Sequence, residues 1–275
     1  MPEKIHHSLD GVSKTLLMTL YARARESQHP DAMLKDDKAV EMVNRLDCDF
    51  SQLRMQRHDE IAVVLRMRKF DDLVRDFLTR NPNGAVVHIG CGLDTRFERV
   101  DNSRVEWFDL DMPEVIELRK KILQTESSRY HLIPKSALEF DWMDEVNSLK
   151  PRPFLFVAEG VFVYFEEVQV KGLFLQLKEC FPGAELVCDG QSPFMIWANN
   201  MQLAFAKLEA RLHWGIKSGR DLEGWSTDIK LLDEWNFYTE DKENLKELRW
   251  IRAIPALAKA SGIFHYQLGE RVDHA

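Results

Sequence analysis

The sequence predicts an α/β fold in which a mostly parallel, seven-stranded sheet carries helices on both faces. Three observations support that expectation. Ala85-Val86-Val87-His88-Ile89 is a short apolar run entering a glycine turn, Gly90-Cys91-Gly92, as a strand buried on both faces would. Further short apolar runs at 105–108, 130–133, 154–158 and 185–188 alternate with helical stripes, the pattern of a doubly wound sheet. Asp109 and Asp111 stand 19 and 21 residues beyond Gly90, at the end of the second strand.

Taken in chain order, residues 1–80 read as helices. Val12, Leu16, Leu17, Leu20 and Ala24 share one face. Ile61, Val64, Leu65, Phe70, Leu73, Val74, Phe77 and Leu78 form a longer stripe, with the spacing of a helix laid against a core. Asn81-Pro82-Asn83-Gly84 ends that helix. Pro113 suits the first turn of the next helix, expected to run to about residue 124. Val170, Leu173, Phe174, Leu177 and Phe181 mark another, stopped by Pro182-Gly183. Residues 193–220 read as helical and rich in Met, Trp and Phe, and they interrupt the alternation. The last two strands are expected at 229–237 and 263–268, with a helix near 243–260 between them. The expected organisation is one domain over 1–275. It has an N-terminal helical cap (1–83), a cofactor-binding core (84–192), an inserted helical lid (193–225) and a C-terminal part of the core (226–275).

Composition narrows the classes of partner. A net charge of −8 gives no basic face for nucleic acid, and the cluster Arg66-Met67-Arg68-Lys69 is followed at once by Asp71-Asp72. No apolar run nears the ~20 residues needed to cross a bilayer, so no membrane partner is expected. The segment Met1-Pro2-Glu3-Lys4-Ile5-His6-His7 lacks the apolar core of a secretory signal, which gives a cytoplasmic expectation. Cys48, Cys91, Cys180 and Cys188 form no C-x-x-C pair and no zinc-like group with histidine, so they read as small core residues and no metal is expected.

The glycine turn is the centre of the chemistry. Glycines directly after a first strand let a ligand approach the backbone at the carboxyl end of the sheet. A carboxylate ending the second strand can accept both hydroxyls of a ribose. Taken alone, the turn reads equally as a tight connection, and either aspartate as a helix cap before Pro113. A dinucleotide fingerprint wants a third glycine where the pyrophosphate meets the helix, and Thr95 stands at that position. The departure favours a cofactor without a pyrophosphate there, such as S-adenosylmethionine, whose carboxylate wants an arginine and whose ammonium wants a carboxylate. A nicotinamide-dependent oxidoreductase and a catalytically silent cofactor-binding protein stay open as alternatives.

Gly90-x-Gly92-x-Asp94-Thr95-Arg96 resembles the G-x-G-x-D-T-R signature of the leucine carboxyl methyltransferase family. Asp109-Leu110-Asp111-Met112-Pro113-Glu114-Val115 resembles its acidic D-x-P-x-V segment, and Ala158-Glu159-Gly160-Val161-Phe162-Val163-Tyr164 its A-E-G-x-x-x-Y segment. Upstream, Arg23-Ala24-Arg25-Glu26-Ser27 and Arg66-Met67-Arg68-Lys69-Phe70-Asp71-Asp72 look like its R-A-x-E-S and R-x-R-x-x-D-D stretches. The likeness spans roughly residues 10–190 and is closer to the bacterial branch, the polyketide O-methyltransferases of the tetracenomycin type.

This resemblance implies a Rossmann-like class I methyltransferase fold that uses S-adenosylmethionine. It implies that Arg66 pairs with the cofactor carboxylate, that Gly90 and Gly92 admit the methionine moiety, and that Arg96 supports the carboxylate or braces the turn. Asp111 would hold the ribose, with Asp109 as second choice. Glu159 would lie beside the ammonium group or the substrate opening. Many members carry an aspartate beside the adenine in a D-L-R-like segment; here the stretch is Lys135-Ser136-Ala137-Leu138-Glu139-Phe140-Asp141-Trp142. Ser136 would hydrogen-bond the adenine instead, with Leu138 packed on the ring.

The expected acceptor is a small molecule presenting a carboxylate or a phenol, with a protein C-terminal carboxylate as a variant. A carboxylate needs no general base, whereas a phenol, with a pKa of about 10, gains from one. Tyr164 and His213 are the candidates near the opening, and no catalytic base is assigned. The segment Pro193-Phe194-Met195-Ile196-Trp197, with Trp214 and Trp225, suits an apolar acceptor, and equally a cap packed on the core.

Overall fold

The computed structural model describes residues 4–6, 15–53, 55–123, 125–149, 152–205, 210–240 and 254–270. Three N-terminal helices, α1 (Leu16–Ser27), α2 (Asp37–Arg45) and α3 (Arg57–Arg80), precede the sheet. Then come β1 (Ala85–Ile89), α4 (Arg96–Val100), β2 (Glu106–Asp111), α5 (Pro113–Ile122), β3 (Tyr130–Pro134), α6 (Trp142–Asn147), β4 (Phe154–Ala158), α7 (Glu167–Cys180) and β5 (Ala184–Gln191). The chain continues through α8 (Pro193–Phe205), β6 (Ile229–Asn236), the short α9 (Phe237–Glu240) and α10 (Pro255–Ala258), and β7 (Ser261–Leu268).

The seven strands lie in the order β3-β2-β1-β4-β5-β7-β6. β1 to β5 are parallel, and β7 runs antiparallel to both β5 and β6. The inner strands β1 and β4 are buried at every position because both faces are covered, and the period of two assigns each residue to a face. Ala85, Val87 and Ile89 of β1, with Phe154, Phe156 and Ala158 of β4, pack under α6 and α7. Val86, Leu155 and Val157 point the other way, to Phe70, Leu73, Val74 and Phe77 of α3. A third cluster joins α1 and α2 to α5, with Leu93 of the glycine turn among its members. The N-terminal helices therefore sit directly on the turn that the sequence marks as central.

Several expected boundaries move. β2 runs through Asp111, so both aspartates belong to the strand, because its pairing with β3 continues to Asp111↔Pro134. α8 is described over Pro193–Phe205, and residues 210–216 are not helical, whereas the sequence expectation carried a helix to residue 220. Residues 211–216 are irregular because they turn back over β5, where Ile216 N–H donates to Gln191 O at 2.8 Å. The Asn200 side chain satisfies both the N–H and C=O of Leu212 there, each at 2.8 Å. Val12 and most of the helix expected near 243–260 lie outside the described residues. Cys91 and Cys188 are buried as expected, whereas Cys48 and Cys180 are only partly so. Among the described residues no helix is long and apolar enough to cross a membrane.

Candidate active site

On the α3 face, each of the four central strands changes from apolar to polar at its carboxyl end. Two residues beyond Trp107, Val86, Val157 and Val187 stand Asp109, His88, Glu159 and Asp189. Neighbouring strands thus bring four polar side chains into one row, and two arginines tie that row together. Arg96 donates from Nη1 to His88 Nε2 at 3.3 Å and from Nη2 to Glu159 Oε2 at 2.5 Å. Arginine can only donate, so Nε2 of His88 is the acceptor and its Nδ1–H faces Asp109 Oδ1, 3.5 Å away. Arg66 donates from Nε to Glu159 Oε1 at 2.9 Å and from Nη1 to Asp189 Oδ2 at 3.0 Å.

Below this row lies a second layer. Asp71 of α3 accepts from Arg96 Nε at 2.8 Å and from Arg99 Nε at 2.7 Å. Asp36, the cap of α2, accepts from Arg23 Nη1 at 2.5 Å and from Thr95 Oγ1 at 2.7 Å. Burial alone would raise the Asp94 carboxyl, but Arg96, Arg99 and Arg23 outweigh it and hold it well below the usual carboxylate range. Buried charges persist only when paired and hydrogen-bonded, and here the pairing locks the turn to α1, α2 and α3.

The turn itself requires glycine. Gly90 and Gly92 have φ of +64° and +51°, in the left-handed region. A Cβ on Gly90 would stand 2.4 Å from Cγ2 of Val161, so the β1 and β4 loops touch there without room for a methyl group. At Gly92, among the described residues, only Leu16 Cβ comes near, at 3.5 Å. The Gly92 N–H donates to Asp111 Oδ2 at 2.7 Å, and Met112 N–H donates to Oδ1 at 2.7 Å. Burial pushes the Asp111 carboxyl up, and these two amides oppose the shift.

The two aspartates of β2 separate clearly. Asp109 is 2% exposed and accepts from Trp107 Nε1 at 2.7 Å, from Tyr130 Oη at 2.5 Å and from Arg119 Nη2. Burial would raise its carboxyl, yet Arg119 and His88 bring it below the ordinary value. Arg119 also donates to the carbonyls of Gly92 at 2.8 Å and Asp94 at 2.7 Å. Asp109 therefore anchors the turn from beneath, while Asp111 faces it from the strand end.

The remaining sequence-derived positions fall around the same edge. Ser136 follows β3, and its Oγ accepts from Leu138 N–H at 3.2 Å. Asp141 is held by Lys135 Nζ at 2.6 Å. Arg96 is buried, with its donors on Asp71, His88 and Glu159. Tyr164 donates to Thr15 Oγ1 at 3.1 Å, and burial pushes its phenol upward. His213 pairs through Nδ1 with Glu166 at 2.7 Å. Sequence reasoning missed Asp189, although its place two residues beyond Val187 at a strand's carboxyl end is a legible signal. A cleft of about 470 Å³ lined by Lys38, Arg45, Glu98, Asp101 and Arg129 contains none of these positions.

A parallel sheet extended by an antiparallel β7 placed between β5 and β6, with a glycine turn after β1 and an acid ending β2, defines a class I S-adenosylmethionine-dependent methyltransferase. The fold agrees with magnesium protoporphyrin IX methyltransferase of Synechocystis PCC 6803, at a TM-score of 0.51 and 10% identity over 84% of this chain and 93% of that one. Residues 16–178 match the leucine carboxyl methyltransferase model, and the chain belongs to that family. It is 35% identical over 268 residues to the tetracenomycin polyketide synthesis O-methyltransferase TcmP of Streptomyces glaucescens, covering 94% of this chain and 97% of that protein. It is also 31% identical over 188 residues, 63% of each chain, to the S-adenosyl-L-methionine-dependent methyltransferase dpfgK of Gibberella zeae. The protein is a methyltransferase that uses S-adenosylmethionine, and the nicotinamide alternative is set aside.

Proposed function

We propose that the protein is an O-methyltransferase acting on a carboxylate or phenolic oxygen of a small, apolar acceptor. The observation that carries this reading is the 35% identity across 94% of the chain to an O-methyltransferase of polyketide synthesis. The uncharged helix α8 adds support, because Phe194, Trp197 and Met201 stand 55%, 61% and 45% exposed along it.

The residues fit the cofactor. Arg66 uses Nε and Nη1 on Glu159 and Asp189, while Nη2 has no hydrogen bond to a described residue, which leaves a donor for a carboxylate. Glu159 is the acceptor for an ammonium group. Gly90 and Gly92 keep the turn free of side chains, and Asp111 is the acceptor for ribose hydroxyls. Ser136 and Leu138, just beyond β3, are the residues read as flanking the adenine. When bound, the cofactor supplies an electrophilic methyl group on its sulfur. The task left to the chain is to hold the acceptor oxygen in line and to keep water away.

Transfer of label from methyl-labelled S-adenosylmethionine to a panel of aromatic carboxylates and phenols tests the proposal. A labelled ester or ether is expected. Labelling confined to a phosphatase C-terminal peptide would move the acceptor to protein carboxylates, and labelling confined to amines would contradict O-methylation.

A further inference from the structure

Asp189 closes the polar row at the end of β5, and none of the signature motifs includes it. Its side chain is 6% exposed, and both its oxygens are engaged. Oδ1 accepts the Gly160 N–H at 2.7 Å, and Oδ2 accepts Arg66 Nη1 at 3.0 Å. Gly160 reaches that position with φ of +68°, and a Cβ there would lie 3.4 Å from Arg66 Nη2. Three segments meet at one carboxylate: α3 through Arg66, the β4 loop through Gly160, and β5 itself.

A carboxylate buried this far disfavours its charged form. Burial pushes Asp189 up, and Arg66 and the Gly160 amide oppose the shift. That carboxylate touches Arg66, whose Nη2 has no hydrogen bond to a described residue. An arginine side chain has many rotamers, and an unheld guanidinium would surrender that freedom on binding. With Glu159 on Nε and Asp189 on Nη1, the guanidinium plane is set beforehand and Nη2 is presented beside Gly160.

We propose that Asp189 is a positioning residue for cofactor recognition, orienting Arg66 and the Gly160 amide so that the cofactor's amino-acid carboxylate meets a pre-set guanidinium. This rests on the reading of Arg66 as the holder of that carboxylate. Asp189 does not touch the reacting atoms, and its contribution is confined to the amino-acid end.

The test is calorimetry with S-adenosylhomocysteine, its decarboxylated analogue, which keeps the amine, and adenosine, on wild type and Asp189→Asn. The amide can still accept from Gly160 but carries no charge for Arg66. S-adenosylhomocysteine should bind about tenfold more weakly to the variant, with the other two ligands within about twofold. An unchanged affinity, or an equal loss for all three ligands, would overturn the proposal. A loss that persists with the decarboxylated analogue would also overturn it, by making Asp189 a direct ammonium contact. Should Asp189→Asn not fold, Asp189→Ser gives the same three-ligand comparison. The underlying reading fails separately if wild type binds S-adenosylhomocysteine no more tightly than its decarboxylated analogue.

Discussion

Asp111 accepts the backbone N–H of Gly92 at 2.7 Å, joining the end of β2 to the glycine turn after β1. This bond sets a carboxylate directly against a backbone that carries no side chain. It ties together two motifs 19 residues apart in the chain.

Asp111→Ala should weaken S-adenosylmethionine by about 1.5–3 kcal/mol, the cost of a lost charged hydrogen bond. Isothermal calorimetry checks it, and an unaltered Kd would give the ribose to another residue. The ionised carboxylate is the accepting form, and burial raises its pKa. Wild-type affinity should therefore decline as pH falls through that raised value, and Asp111→Asn should lack this acid dependence.

Gly90→Ala adds a left-handed alanine and a clash with Val161 Cγ2 at 2.4 Å. Chemical denaturation should show a large loss of stability. Val161→Ala in the same chain should recover the steric part and leave about 1–2 kcal/mol of backbone cost. No recovery in the double variant would mean that the loops do not meet at this point.

How much of this was legible in the sequence differs residue by residue. The strands and both glycines were readable because apolar runs and turn residues are local signals. The choice between Asp109 and Asp111 was not settled by residue type, since both lie on β2 with the same parity. What separates them is that Asp109 pairs with His88 inside the sheet and receives Arg119 and Tyr130 from later elements. Those partners are set by packing. Arg66 and Arg96 look alike as motif arginines, yet Arg96 is enclosed by Asp71, Glu159 and His88, while Arg66 keeps a donor. Asp189's place at a strand end is visible in the sequence, but its partner Gly160 is 29 residues away, and Asp36 gains its meaning from Arg23 and Thr95, 13 and 59 residues off.

Adjacent aspartates of α3 should behave differently. Asp71 is fully buried and holds Arg96 and Arg99, whereas Asp72 is half exposed and pairs with Arg75 at 3.2 Å. Asp71→Ala should cost about 3–5 kcal/mol by stranding buried guanidinium groups. Asp72→Ala should cost less than about 1 kcal/mol. Urea titrations of the two variants compare them directly, and equal midpoints would refute the buried network.

Acid sensitivity should arise in part at Glu185. Burial would raise its carboxyl, but Arg80, at 2.6 and 2.8 Å, and His265, at 2.8 Å, bring it down to about 2. A carboxyl depressed in the folded state contributes stability above its unfolded pKa and loses that contribution as pH falls toward the folded value. The window is therefore from about pH 4.5 down to about 2. Glu185→Gln should be less stable at neutral pH by about 3 kcal/mol as an order of magnitude. Its stability should fall less steeply on acidification through that window. Parallel acid limbs for variant and wild type would rule this group out.

The most direct measurement is a crystal structure of the protein with S-adenosylhomocysteine. The ligand's ribose hydroxyls should lie within hydrogen-bond distance of Asp111, its carboxylate on Arg66 and its amino-acid chain over Gly92. Ligand density away from the glycine turn, with Asp111 and Arg66 both free of it, would contradict the account.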